Sequence, residues 1–236
     1  MTWYREWFGE EYLELYAHRD EEEAKRQVDF FISQVGSLGG CILDLACGGG
    51  RHIQEMATHG YTVVGCDLSY VLLRTGLRQY GEMRVALSDM RDLPFRDGTF
   101  QGLVNFFTSF GYFETERDNQ RVVEEMSRVL VRGATFLFDY LNVHHEIRRM
   151  TRKEVRETDS GRVEIERWFD SSARAFSKRI TIDGRHFLER VRGYDLEEIA
   201  AMFAAAEFRI RDVFGDFDGS GYHQASPRLI VVGTKN

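Results

Sequence analysis

The chain has 236 residues, of which 43% are hydrophobic, and this suits one large domain with a substantial core. Its 31 basic and 38 acidic residues give a net charge of −7, which argues against broad nucleic-acid binding because phosphate contacts require a concentrated basic face. No apolar run approaches the ~20 residues that a membrane span requires. The three cysteines (Cys41, Cys47 and Cys66) match no metal-ligand spacing, so we expect buried thiols, no metal site and a reducing, cytoplasmic location.

Residues 1–36 are predicted to form an N-terminal lid and helix region. The first 19 residues are rich in aromatic side chains, namely Trp3, Tyr4, Trp7, Phe8, Tyr12 and Tyr16. These rings either cover core surface or form a lid whose faces attract a cationic ligand, and the sequence leaves both open. Residues 20–36 carry their apolar side chains at helical spacing, which predicts an amphipathic helix.

Residues 41–141 alternate between apolar strands and helical patterns. The strands are predicted to begin at Cys41 and to run over Thr62–Leu68, Met83–Asp89, Phe100–Phe107 and Thr135–Leu141. Such alternation is typical of a doubly wound α/β fold with a parallel sheet and right-handed crossovers. In these sheets, ligands bind beyond the carboxyl ends of the strands.

The pattern changes after residue 152. Residues 152–192 show period-two hydrophobicity broken by turn signals, which predicts a small antiparallel β insertion. A capped helix from Asp195 to Ala206 is followed by strands Phe208–Phe214 and Arg228–Thr234 with no helix between them, so these strands are predicted to pair antiparallel. We therefore expect one domain over residues 1–236, with a mostly parallel seven-stranded sheet that ends in an antiparallel strand.

The first strand runs into the glycines Gly48, Gly49 and Gly50 just before a helix. Such a turn directs backbone N–H groups towards an anionic ligand. Asp67 ends the second strand, where a carboxylate can accept hydrogen bonds from ribose hydroxyls, and Asp89 ends the third, near an adenine edge. These three strand ends predict a nucleoside pocket. The NAD motif Gly-x-Gly-x-x-Gly requires a further glycine that does not follow here, which disfavours a dehydrogenase.

At Asp44, Ala46, Gly48 and Gly50 the chain resembles the class I S-adenosylmethionine-dependent methyltransferases, with Ala46 in place of the more common glycine. The resemblance extends through Asp89 to the end of the fourth strand. It implies S-adenosyl-L-methionine as cofactor and S-adenosyl-L-homocysteine as product. The cofactor-binding residues that it implies are Tyr16, Arg19, Asp44, Ala46, Cys47, Gly48, Asp67, Leu68, Ser69, Asp89, Met90, Asn105 and Phe106.

The predicted activity is the in-line transfer of a methyl group to a nitrogen or oxygen of a small molecule. Residues 108–112 and the insertion resemble the branch that includes sugar amine N-methyltransferases. This resemblance places Tyr112 beside the methyl group, so Tyr112 is the preferred catalytic contact. His144, His145 and His223 are further candidates for a base.

Two other functions remain open, a non-catalytic nucleoside-binding protein and an NAD-dependent dehydrogenase. Methylation of RNA or protein is disfavoured by the net charge and by the absence of an Asn-Pro-Pro-Tyr row after the fourth strand. We expect a small-molecule substrate and neither a nucleic-acid nor a membrane partner. The sequence leaves a homodimer open.

Overall fold

The computed structural model describes residues 3–16, 21–36, 38–158 and 161–236. The helices are α1 (Trp3–Trp7), α2 (Glu10–Leu15), α3 (Glu21–Val35), α4 (Arg51–Thr58), α5 (Tyr70–Tyr80), α6 (Glu116–Val129), α7 (Val143–Arg149) and α8 (Leu196–Ala205). The strands are β1 (Cys41–Leu45), β2 (Thr62–Asp67), β3 (Val85–Leu87), β4 (Phe100–Asn105), β5 (Leu130–Leu141), β6 (Lys153–Thr158), β7 (Gly161–Asp170), β8 (Ala175–Ile182), β9 (Arg185–Arg192), β10 (Phe208–Phe214) and β11 (Arg228–Lys235).

The main sheet has seven strands in the order β10-β11-β5-β4-β1-β2-β3. Strands β1 to β5 are mutually parallel, whereas β11 lies antiparallel between β5 and β10. The predicted α/β fold with an antiparallel last strand is therefore confirmed. This order places the carboxyl ends of β1, β2, β3 and β4 along one edge, where a ligand crevice is expected.

Helical layers cover both faces of this sheet, which is why its central strands are almost uniformly apolar. In β5, Phe138 faces the layer that contains α8, and its ring lies 5.0 Å from that of Phe203. The neighbouring Leu137 belongs to the cluster on the opposite face, together with Val28 and Phe31 of α3. The core thus lies in two layers, and both hold the strand ends in place.

Strands β6 to β9 form a separate four-stranded antiparallel sheet, as predicted for residues 152–192. Its buried side chains, among them Ile165 and Ile180, share one cluster with Trp7 and Leu15 of the N-terminal helices. The second sheet and the N-terminal segment therefore stabilise each other.

Several element boundaries differ from the prediction. Strand β3 is shorter than Met83–Asp89 because it is an edge strand that pairs only with β2, over residues 85–87. Strand β4 ends before Phe107, whose φ of 70° is incompatible with a strand. Strand β5 begins at Leu130, directly after α6. Helix α7 was not predicted, although Asn142 caps it by accepting a hydrogen bond from the His144 N–H at 3.2 Å.

No helix in the described ranges is long and apolar enough to cross a membrane. The cytoplasmic location and the exact domain limits stay predictions.

Candidate functional site

The turn after β1 is built from backbone that favours glycine. Gly48 and Gly50 have φ values of 55° and 81°, and Ala46 has a φ of 59°. The Cys47 N–H donates to the carbonyl of Cys66 at 3.0 Å, which ties the turn to β2. Alanine is strained in this left-handed region, and such strain commonly marks functional backbone.

Helix α5 packs against this turn through Gly76. A Cβ atom on Gly76 would lie 2.0 Å from the carbonyl oxygen of Gly49, which is far inside van der Waals contact. Only glycine allows the helix to approach so closely. Gly76 was not predicted as a site residue, although an isolated glycine inside a helical pattern is a signal of such an approach.

Asp67 joins the glycine turn to the start of α5. Its Oδ2 accepts a hydrogen bond from the Gly48 N–H at 2.8 Å, and its Oδ1 accepts one from the Ser69 N–H at 2.7 Å. Burial raises the pKa of Asp67, and these backbone donors partly oppose the rise. Each carboxylate oxygen keeps a second lone pair, so Asp67 can still accept from hydroxyl groups of a ligand.

Asp44 lies at the centre of the sheet, with 1% of its surface exposed. Its Oδ2 atom is buried and has no hydrogen-bond partner among the described residues. Burial and the nearby charge of Asp67 raise its pKa to about 8, and Arg51 only partly opposes this. An unpartnered buried carboxyl group of this kind suits a cationic group on a ligand.

Asp89 follows β3 and is held by Arg91. The Nε and Nη2 atoms of Arg91 donate to the two carboxylate oxygens at 3.0 and 2.7 Å. Burial tends to raise the pKa of Asp89, but the hydrogen bonds from Arg91 outweigh it and leave this pKa below its ordinary value. Asp89 is therefore fixed as an oriented carboxylate.

Two cavities adjoin the glycine turn. The central cavity, of about 370 Å³, is lined by Asp67, Leu68, Asp89, Met90 and Tyr112 among other residues. The outer cavity, of about 660 Å³, is lined by Asp44, Cys47 and Arg51 among others. Both cavities are lined by Ala46, Gly48, Phe107 and Tyr16, so they are adjacent along the turn.

Aromatic rings dominate the wall of the central cavity, and they are Trp3, Tyr4, Phe8, Tyr12, Tyr16, Phe107, Tyr112 and Phe113. The ring of Tyr112 lies 4.9 Å from that of Trp3 and 5.9 Å from that of Phe8. Such a wall excludes water and presents π faces to a cation.

The N-terminal segment is fixed over this cavity by polar contacts. The Ser69 hydroxyl donates to the carbonyl of Phe8 at 2.6 Å, and the Trp7 indole N–H donates to Glu189 of β9 at 2.5 Å. The Tyr16 hydroxyl accepts a hydrogen bond from Lys178. The segment thus forms a roof over the cavity, and its action as a lid stays a prediction.

Some predicted site residues lie elsewhere. Asn105 is 1% exposed and lines neither cavity, because its Nδ2 donates to the carbonyl of Leu45 at 2.8 Å beneath the turn. Phe106 lines only the outer cavity and stacks on His52 at 4.3 Å. Arg19 lies outside the described residues. The three candidate bases His144, His145 and His223 line neither cavity.

One polar group beside the central cavity was not predicted from the sequence. Asp139, at the end of β5, accepts hydrogen bonds from the Phe107 N–H at 2.7 Å and from Arg228 Nε at 2.8 Å. Phe107 and Thr108 both have positive φ values, of 70° and 61°, so Asp139 holds a strained turn. Arg228, Thr108 and Glu146 all line the central cavity.

Residues 42–133 match the methyltransferase-domain family. This range contains the glycine turn, Asp67 and Asp89. This part of the chain, residues 42–133, is a methyltransferase domain. The family prediction, the enzyme class that goes with it and the S-adenosyl-L-methionine cofactor are confirmed.

Among the relatives of this chain is a putative methyltransferase, YqeM, of Bacillus subtilis. The two are 30% identical over 135 residues, which are 56% of this chain and 53% of the relative. The chain spans about half the length, or less, of the curated relatives that it matches.

Two solved structures share the fold. An S-adenosylmethionine-dependent methyltransferase from Clostridium acetobutylicum superimposes with a TM-score of 0.80 at 20% identity, covering 95% of this chain and 96% of that one. The sugar N-methyltransferase KedS8 from Streptoalloteichus superimposes with a TM-score of 0.69 at 20% identity, covering 97% and 94%.

Proposed function

We propose that this methyltransferase chain transfers a methyl group from S-adenosylmethionine to the nitrogen of a small-molecule amine. The observation that carries the proposal is the central cavity, which is lined at once by the strand-end residues Asp67 and Asp89 and by the acidic side chain of Glu146. Donor and acceptor can therefore share one aromatic-walled space. Holding two reactants in line contributes several kcal/mol to a displacement without any protein base.

The residues at the turn fit the cofactor. Asp67 has lone pairs for ribose hydroxyls, Asp89 and Met90 stand where an adenine edge is expected, and Asp44 offers an unpartnered oxygen to an amino group. When bound, S-adenosylmethionine supplies an electrophilic methyl group on a sulfonium. The residues of the chain then bind and orient this group, and the aromatic wall keeps water out.

The acceptor half of the cavity supports an amine rather than a hydroxyl. A hydroxyl nucleophile needs a base to remove its proton, and no histidine in the described ranges lines the cavity. Glu146 is a half-buried carboxylate there, and it attracts the ammonium form of the acceptor and takes up its proton. The neutral amine then attacks the methyl group, and S-adenosylhomocysteine is the leaving group. Tyr112 contacts Trp3 and Phe8 on the same wall, so we assign Tyr112 to positioning the acceptor. The solved structure of a sugar N-methyltransferase with the same fold adds support.

Methyl transfer is tested by incubating the protein with methyl-labelled S-adenosylmethionine and a small-metabolite extract. We expect label in a compound of low molecular mass that carries an amine, and a lower rate with Tyr112→Phe or Glu146→Gln. The exposed variant Glu157→Gln serves as a matched control for the latter and should behave as the wild type. If the protein binds S-adenosylhomocysteine but labels nothing, the non-catalytic binding function replaces this one.

The dehydrogenase alternative is tested by NADH fluorescence. We expect no enhancement on mixing, because the turn after Gly50 lacks the further glycine of dinucleotide sites. A saturable enhancement would favour the dehydrogenase. The homodimer stays a prediction.

A further inference from the structure

Arg228 is the one basic residue among the described residues that line the central cavity. It is the first residue of β11 and pairs with Leu141 at the end of β5. Its Nε donates to Asp139 Oδ1 at 2.8 Å, and its Nη2 donates to the Thr108 hydroxyl at 2.8 Å. The guanidinium is therefore oriented from two sides beside the strained turn.

Only part of the Arg228 guanidinium is needed to neutralise the Asp139 carboxylate. Asp139 is 1% exposed and requires a cationic partner, which Nε and Nη2 provide. No hydrogen bond from Nη1 is found within the described part of the chain, and the side chain keeps 25% of its surface exposed. A guanidinium that is fixed along one edge and accessible elsewhere is preorganised for a further oxyanion.

The carboxylates that line this cavity differ in whether they have a structural partner. Asp67 accepts from two backbone N–H groups, Asp89 is paired with Arg91, and Glu189 accepts from Trp7 and Lys178. Each of these three carboxylates has a structural partner. Arg228 and Glu146 form no ion pair with each other within the described ranges, so one positive and one negative group face the same space.

We propose that Arg228 binds an oxyanion of the acceptor, so that the substrate is an amine that also carries a carboxylate or a phosphate group. This inference rests on the proposed amine methylation, in which Glu146 attracts the amine. Arg228 would fix the acceptor at its anionic end. The fork of an arginine suits both kinds of oxyanion, and the two are separated by experiment.

The test titrates the protein, saturated with S-adenosylhomocysteine, with inorganic phosphate and with acetate at constant ionic strength. We expect the wild type to bind at least one of the two anions, and Arg228→Gln to weaken that binding at least tenfold. Arg209→Gln removes an equal charge from an exposed position on β10 and should bind the anion like the wild type. If the protein prefers phosphate, the acceptor is an amine that carries a phosphate group. If it prefers acetate, the acceptor is an amine that carries a carboxylate.

Arg228→Gln leaves Asp139 buried without its cation and can fail to fold. The double variant Asp139→Asn/Arg228→Gln removes both charges and keeps an oxygen to accept from the Phe107 N–H, so it provides the second measurement. Anion binding in either folded variant equal to that of the wild type overturns the proposal, as does a wild type that binds neither anion. Failure of the proposed function is a separate result, because it appears as no binding of S-adenosylhomocysteine before any anion is added, or as no labelled amine in the methyl-transfer assay.

Discussion

Replacing Asp44 with asparagine should stabilise the ligand-free protein and weaken cofactor binding at the same time. The side chain keeps its shape but loses its ionisation. Asp44 is 1% exposed, its Oδ2 has no partner within the described residues, and burial together with Asp67 raises its pKa to about 8. An aspartate in the unfolded chain has a pKa of about 3.9.

The direction in which the free energy of unfolding changes with pH follows from proton binding to Asp44. The folded protein holds the proton of Asp44 more tightly than the unfolded chain does, so this group reduces the free energy of unfolding as the pH rises from about 4 to about 8. With about 1.4 kcal/mol for each pKa unit, the loss between pH 5 and pH 8 is on the order of 3 kcal/mol. The free energy of unfolding of Asp44→Asn does not fall in this way, because an asparagine side chain does not ionise.

The assay is urea denaturation of the wild type and of Asp44→Asn at pH 5 and at pH 8. We expect the variant to be the more stable protein, with an advantage that is larger at pH 8 by on the order of 3 kcal/mol. Asp183→Asn, in an exposed turn, is the matched control and should show no such pH dependence. The reasoning is wrong if the advantage of Asp44→Asn is the same at both pH values, or if this variant binds S-adenosylhomocysteine as tightly as the wild type.

Three further predictions concern the same strand ends. Gly76→Ala places a Cβ 2.0 Å from the carbonyl of Gly49, so titration calorimetry should show at least tenfold weaker binding of S-adenosylhomocysteine, and unchanged binding would contradict the close approach. Ala46→Gly relieves a φ of 59° and should raise the free energy of unfolding by about 1 kcal/mol in urea denaturation, whereas a loss of stability would refute the strain. Arg91→Gln removes the donors that hold the pKa of Asp89 down, so carbon NMR titration should find this pKa raised, and an unmoved pKa would count against the pairing.

The order of strands and helices could be predicted because β1, β2 and β4 are short, largely apolar runs bounded by turn signals. The antiparallel end of the sheet followed from the absence of a helix between β10 and β11. The proximity of Asp67 to the glycine turn was also predictable, since β1 and β2 are parallel neighbours in register, with Asp44 opposite Gly65. Local patterns and one topological rule are sufficient for these features.

The acceptor half of the site could not be predicted in the same way. Arg228 and Asp139 are 89 residues apart and meet only because β11 inserts beside β5. In the sequence, Arg228 and Glu146 look like ordinary surface charges. The placement of Asn105 beneath the turn depends on a hydrogen bond to Leu45 that crosses from β4 to β1, and no sequence pattern indicates it.

The most direct test of the cofactor site is calorimetric titration of S-adenosylhomocysteine into the wild type and into Asp67→Ala and Asp67→Asn. We expect one binding site per chain, binding at least about tenfold weaker in Asp67→Ala, and intermediate binding in Asp67→Asn, which keeps one carbonyl oxygen to accept from a backbone N–H. Asp183→Asn should bind like the wild type. No heat of binding with the wild type, or equal affinity in Asp67→Ala, would contradict the assignment of the crevice at the ends of β1 and β2 to the methyl donor.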